Sequence, residues 1–224
     1  LNPQGIIALK QSQILIGALI LSLLLGIPMV GITIFMALYY REGNHKAKYS
    51  PDWTGSKTLI FAWWSLPVLL IIVLGAITWV DAHELDPYRS IDSKVKPIKI
   101  QVVALNWKWL FIYPDQKIAT VNFIEFPLNT PVDFQLTADA PMNSFWIPSL
   151  GGQIYAMAGM STQIHLLAST IGEFPGSAAE INGDGFSGMN FIAKSVSQSD
   201  YEAWVQTTKQ SGKSLDLSSY NELA

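Results

Sequence analysis

Residues 14–38 read ILIGALILSLLLGIPMVGITIFMAL, and residues 61–80 read FAWWSLPVLLIIVLGAITWV. Neither stretch contains a charged side chain. As an α-helix the first would be roughly 38 Å long at about 1.5 Å per residue. A bilayer core about 30 Å thick needs about 20 apolar residues, so each stretch predicts a membrane span. The first is apolar on every side, unlike the amphipathic helix of a soluble protein. Pro28 predicts a local kink in the first span. Pro67 is tolerated in the second because neighbouring helices satisfy the freed backbone groups. Trp63, Trp64 and Trp79 stand toward the two ends of the second span, as interfacial aromatics do. Ser22 and Gly26, four apart, would admit a closely packed helix, and ordinary lipid-facing packing accounts for them equally well.

Between the spans, residues 41–58 carry Arg41, Lys46, Lys48 and Lys57 against Glu42 and Asp52. A short positive loop predicts a cytoplasmic location. Asp81, Glu84 and Asp86 follow the second span. Both termini are therefore expected on the opposite, periplasmic side. A signal-peptide reading of the first span fails on its length and on the nearly uncharged stretch before it. The chain starts at Leu1 rather than Met, which reads as a processed or trimmed start with any signal peptide already removed.

The composition agrees with a hybrid of membrane and water-facing parts: 224 residues, 50% hydrophobic. A net charge of −3 argues against a nucleic-acid binder, which would show a clustered basic face. There is no cysteine, which excludes disulfides, thiolate metal sites and cysteine nucleophiles.

From about Pro97 the pattern changes to short β-rich runs broken by turn residues. Strands are predicted near Ile98–Ala104, Lys108–Tyr113, Ile118–Ile124, Pro131–Thr137, Thr162–Ala168 and Met189–Val196, rich in Val, Ile, Phe, Thr and Trp. Breaks fall at Pro114-Asp115, from Pro127 to Pro131, at Gly151-Gly152 and in the Gly-rich 183–188 stretch. Many short strands at near-regular spacing predict a β-sandwich. Ser199–Gln210 reads as a short helix opened by Ser-Asp, followed by a polar tail. The expected organisation is residues 1–96 as N-terminal segment and hairpin, 97–197 as sandwich, and 198–224 as helix and tail.

Candidate chemistry is sparse. Gly183-Asp-Gly-Phe-Ser-Gly188 matches G-x-G-x-x-G, but a dinucleotide loop must open a helix, and Met189–Val196 reads as strand. A tight turn is the better reading. The histidines are His45 in the loop, His83 just past the second span, and His165, predicted to point outward on a strand. They form no recognisable metal spacing. Trp107 and Trp109 are expected on one strand face with Lys108 on the other; core or interface packing is their default role. The residues alone describe a membrane-anchored sandwich without a visible active site.

Three motifs go further: WKWLFIYP (107–114), MNSFWIPSLGGQIYAMAGM (142–160) and FPGSAAEINGDGFSGMNF (174–191). Together with the two spans they resemble subunit II of the haem–copper oxidases, over about residues 4–210. The resemblance implies a two-helix transmembrane hairpin followed by an all-β, cupredoxin-like Greek-key sandwich. In the cytochrome c oxidase branch that sandwich holds a dinuclear copper centre. Laid onto this chain, its first His position is Asn143, its Cys positions are Ala178 and Asn182, its second His position is Phe186, and Glu180 and Met189 are retained. Thiolates and imidazoles suit a copper pair; Asn, Ala and Phe do not. The resemblance is therefore to the copper-less quinol-oxidase branch, most of all to the bo-type ubiquinol oxidases of proteobacteria.

That branch implies a proton-pumping respiratory complex of the bacterial inner membrane that oxidises ubiquinol and reduces dioxygen to water. Two haems, a copper and the ubiquinol site belong to subunit I, and none of these cofactors to this chain. The subunit implied here braces and caps subunit I, with subunits III and IV as further partners, alongside membrane lipid. Trp107, Trp109 and Trp146 are the expected interface residues. A relative's glutamate ahead of the Trp-x-x-Pro of the second helix corresponds here to Ile60, so no proton-entry carboxylate is assigned to this subunit. Bo-type relatives begin at a lipidated Cys; that residue either lies just upstream of Leu1 or is absent. The competing reading is a copper-free, membrane-tethered sandwich that serves assembly or docking.

Overall fold

The computed structural model describes residues 2–48, 50, 52, 54–212 and 214–224. The chain forms two compact units. One is Gln13–Glu84; the other joins the start of the chain, as far as Ser12, to Leu85–Ala224. The start of the chain, expected to belong with the hairpin, thus folds with the sandwich, and so does the connector from Leu85 onward.

The helices are α1 (Ile6–Tyr39) and α2 (Lys57–Glu84), each long and apolar enough to cross a membrane. They exceed the predicted spans because backbone hydrogen bonding continues past the apolar run into polar flanks such as Lys10 and Asp81. Within this unit Pro28 and Pro67 lie on the wall of one apolar cleft of about 300 Å³, shared with Leu25, Met29, Trp63 and Trp64.

The other unit has ten strands: β1 (Ile98–Leu105), β2 (Lys108–Tyr113), β3 (Ile118–Val121), β4 (Phe123–Pro127), β5 (Val132–Ala138), β6 (Asn143–Trp146), β7 (Gln153–Ala156), β8 (Thr162–Leu166), β9 (Gly172–Ala178) and β10 (Asn190–Val196). They make two five-stranded sheets, in the orders β3-β2-β1-β5-β8 and β4-β10-β9-β6-β7. Both sheets are mixed: β1 runs parallel to β5, and β10 to β4, with the remaining neighbours antiparallel. Alternation places Phe134, Leu136 and Ile164 inward and Asp133, Gln135 and His165 outward. The core between the sheets is dominated by Trp109, Phe111, Phe126, Phe134, Phe145 and Phe191, each no more than 2% exposed.

One predicted strand, Ile118–Ile124, is two. Asn122 adopts φ 56°, which breaks the run. Its side-chain oxygen accepts from the Trp109 N–H at 2.8 Å, and its own N–H donates to the Trp109 carbonyl at 2.8 Å. The chain thereby leaves the first sheet after β3 and enters the second as β4. Tyr113 then staples the sheets together: its hydroxyl donates to the Glu125 carbonyl and accepts from the Glu125 N–H, both at 3.0 Å.

The start of the chain is held by backbone bonds. Gln4 donates to the Ser149 carbonyl and accepts from the Ser169 N–H, each at 2.8 Å. Gly5 is required there, since a Cβ would fall 2.5 Å from the Leu167 carbonyl oxygen. After β10 comes α3 (Gln198–Lys209), which buries Tyr201 and Val205 and is capped by Ser197. The tail, read from the sequence only as polar, adds α4 (Leu217–Leu223), started by an Asp216–Ser219 capping box. Tyr220 ties it down, donating to the Asp139 carboxylate at 2.7 Å.

Candidate functional site

Strand directions bring four connections to one end of the sandwich: residues 106–107, 139–142, 157–161 and 179–189. The positions singled out in sequence collect at this end. Asn143 opens β6, Ala178 closes β9, and Met189 immediately precedes β10. Two backbone bonds draw them together: Ala178 N–H to the Met189 carbonyl at 3.0 Å, and Ala179 N–H to the Ser144 carbonyl at 2.9 Å.

Asn182 reaches into the same spot. Its amide donates to the Asn143 side-chain oxygen, and also to the Met189 sulfur at 3.2 Å. Asn143 in turn donates to the Pro141 carbonyl at 2.7 Å. Asn143 and Met189 are fully buried, Phe186 packs against the core, and Glu180 is half-buried. The Asn182 side-chain oxygen and the Ser144 hydroxyl are buried without a hydrogen-bond partner among the described residues. The cluster therefore offers one thioether and two amides, already engaged with one another. Apart from the half-buried Glu180 carboxylate at its edge, nothing in it carries a charge, and it holds no thiolate to bridge two metals.

The tryptophans part company. Trp107 is not on a strand: it sits in the β1–β2 turn with φ 56°, 44% exposed. Its ring lies against the glycine-rich loop, where a Cβ on Gly185 would come within 2.3 Å of it. The G-x-G-x-x-G stretch is thus a loop with a 3₁₀ turn at Phe186–Gly188, whose small residues make room for an indole. Trp109 is fully buried, edge-on to Phe145 at 5.4 Å and Phe191 at 5.9 Å. It cannot touch a neighbouring chain, which corrects its assignment as an interface residue; inward alternation on β2 is the cause. Trp146, on the outward face of β6, is 37% exposed. His165 points outward on β8, as predicted. Its side chain is 9% exposed, covered by the connector that carries Pro87.

A second polar group lies on β4. Glu125 is 4% exposed and its carboxylate is 3.6 Å from the Lys194 ammonium, its partner in register on β10. Burial raises its pKa above the usual carboxylate range, with Lys194 holding it back. Burial also pushes Tyr201 up to about 12. Because the folded pKa of Glu125 is raised, its contribution is fully present below the ordinary carboxylate value of about 4.3 and is lost as pH rises through the folded value. Glu125→Gln is therefore expected to flatten the fall in thermal stability above that pH. Unfolding of the purified chain in detergent, followed by near-UV circular dichroism across pH, checks this; an unchanged slope counts against it.

Residues 115–196 match the family model described as the periplasmic domain of cytochrome c oxidase subunit II. The chain is 53% identical over all of its length to the cytochrome bo(3) ubiquinol oxidase subunit 2 of Pseudomonas putida, covering 71% of that protein. With the protein of the same name from Pseudomonas aeruginosa it shares 48% identity over 99% of this chain and 67% of the relative. The crystal structure of the periplasmic domain of subunit II of cytochrome oxidase from Bradyrhizobium japonicum superposes with a TM-score of 0.50 at 23% identity, over 54% of this chain and 98% of that one. That likeness establishes the cupredoxin-like fold.

Proposed function

The chain belongs to the family of ubiquinol oxidase subunit II, and from that premise we propose that it is a non-redox subunit, one that braces and caps subunit I without handling electrons. As a member of that family it is a subunit of a respiratory quinol oxidase of the membrane, and the oxidoreductase activity belongs to the complex. The proposal places the haems, the copper and the ubiquinol in subunit I and counts subunits III and IV as further partners. It puts the sandwich and both termini on the periplasmic side of a proton-pumping enzyme, consistent with the positive loop at 41–58.

The observation that carries it is the Asn143–Asn182–Met189 cluster. A dinuclear copper centre needs bridging thiolates. Here the corresponding positions are Ala178 and Asn182, and the Asn182 amide is spent on its neighbours. The residues present do not fit the group. Metal analysis of the complex purified through this chain tests the reading. One copper for every two haems is expected; further copper with the absorption of a mixed-valence pair would overturn it.

The same end of the sandwich supports a docking role. Trp107, Met142, Met160 and Ile181 are 44%, 44%, 55% and 81% exposed. Large apolar side chains left on the loops of a water-facing domain mark a contact surface. Trp107 and Trp146 are the proposed interface tryptophans. The double variant Trp107→Ala/Trp146→Ala is expected to weaken retention of the haem-bearing subunit by about 2 kcal/mol or more, roughly 30-fold. The haem-to-chain ratio after a salt and detergent wash measures it. An unaltered ratio sinks the assignment.

A further inference from the structure

We propose that His165 is a proton-operated latch fastening the connector that follows α2 to the outer face of the sandwich. On that face β8, β5 and β1 place His165, Asp133 and Lys99 side by side in register. His165 Nδ1 is 3.0 Å from the Pro87 carbonyl oxygen, 78 residues away in sequence. Its Nε2 is 3.5 Å from the Asp133 carboxylate, and the two side chains are only 9% and 13% exposed.

Both partners are acceptors. A backbone carbonyl and a carboxylate each offer lone pairs and no proton. A neutral imidazole carries one N–H. If Nδ1 holds it, the Nε2 lone pair faces the carboxylate; if Nε2 holds it, the Nδ1 lone pair faces the carbonyl. The imidazolium alone donates to Pro87 and at the same time places a charge against Asp133, 3.5 Å away. The Asp133 Oδ1 is buried without a hydrogen-bond partner among the described residues, with the His165 Nε2 3.5 Å away as the cation that would offset it, so the neutral imidazole leaves that carboxylate uncompensated at low exposure.

The charged groups around the imidazole are few. Asp133 faces it on β5, with Lys99 next in the row on β1 and exposed. On the connector, Asp86 and Arg89 flank Pro87. Asp86 builds the turn that presents the Pro87 carbonyl, its side chain accepting from Tyr88 N–H and its carbonyl from Arg89 N–H, both at 2.9 Å. Histidine is the side chain whose ordinary titration falls between about pH 5 and 8. The latch closes as the surroundings acidify and loosens as they become alkaline. Its use rests on the outward orientation proposed above, which puts it on the side where a proton-pumping complex releases protons.

Hydrogen–deuterium exchange on the intact complex, corrected for the intrinsic pH dependence of amide exchange, tests the latch at about pH 5.5 and about pH 8, the two sides of the ordinary imidazole range. Backbone amides of residues 86–92 are expected to exchange roughly tenfold more slowly at the acidic value, the effect of one charge-assisted hydrogen bond. His165→Gln keeps a donor for Pro87 but no titrating proton, so it is expected to abolish the pH dependence. His165→Ala is expected to leave the segment open at both values. Equal wild-type protection at the two values, or a wild-type pH dependence in His165→Gln, overturns the proposal. The assay does not depend on which side of the membrane the sandwich faces, so its failure is distinct from failure of the orientation.

Discussion

Trp109→Ala is expected to destabilise the sandwich by about 3–5 kcal/mol, the range for truncating a large buried aromatic. The ring is fully buried and stands edge-on to Phe145 and Phe191, which are themselves stacked at 5.0 Å. Removing it opens a cavity under both sheets, because Phe145 belongs to one and Trp109 to the other. The indole N–H works the other way: it is buried without a partner among the described residues, and its loss removes a polar group that the core does not satisfy. Trp109→Phe is therefore expected to recover most of the lost stability. The unfolding midpoint should drop by more than about 10 °C in the alanine variant, given several degrees per kcal/mol for a domain of this size. A drop of only a degree or two would mean that the ring is not part of the core. Trp107→Ala, on the turn one residue before the strand, is expected to leave this midpoint almost unchanged, which separates the core tryptophan from the exposed one.

Those two residues departed from their sequence-based placement, whereas the long elements did not. The spans were legible because an uncharged run of more than twenty residues admits few other structures. Strands β1, β2, β5, β8 and β10 were legible because β-branched and aromatic residues dominate them and turn residues bound them. Strands β6, β7 and β9 were not. Two are four residues long, and β9 reads GEFPGSA, with two glycines and a proline that ordinarily argue against a strand. The reasons are tertiary. Gly176 is needed because the Phe191 ring occupies the place of its Cβ, 2.1 Å away. Pro175 is tolerated because pairing with β6 covers only Ser177 and Ala178, leaving the strand an edge on that side. Trp107 was placed on a strand face by its alternation with Trp109, whereas it adopts φ 56°, rare for a bulky residue, with its ring against the glycine loop. The polar cluster at Asn143 was legible through family resemblance alone: no spacing rule connects Asn143, Asn182 and Met189.

The largest functional effect concerns the electron donor. Oxygen uptake by the complex purified through this chain is expected to be rapid with ubiquinol and no greater than background with reduced cytochrome c, even after incubation with copper. Entry from a soluble cytochrome through this sandwich would need a redox centre in the loop 178–189. That loop holds no thiolate, since the chain has no cysteine. Its buried groups are a thioether and amides pinned to one another, with Phe186 filling the remaining space against the core. Added copper would have to displace the Asn182 bonds and would gain no thiolate or imidazole in return. On the reading proposed above quinol needs no such relay, because it would deliver electrons from within the membrane to the haem-bearing partner. Cytochrome c-driven uptake in a quinone-depleted preparation, at a rate near that with ubiquinol, would show that electrons enter by a route independent of a copper pair. It would then remove the inference drawn from Asn143, Ala178, Asn182 and Phe186, while leaving the fold and the family membership intact.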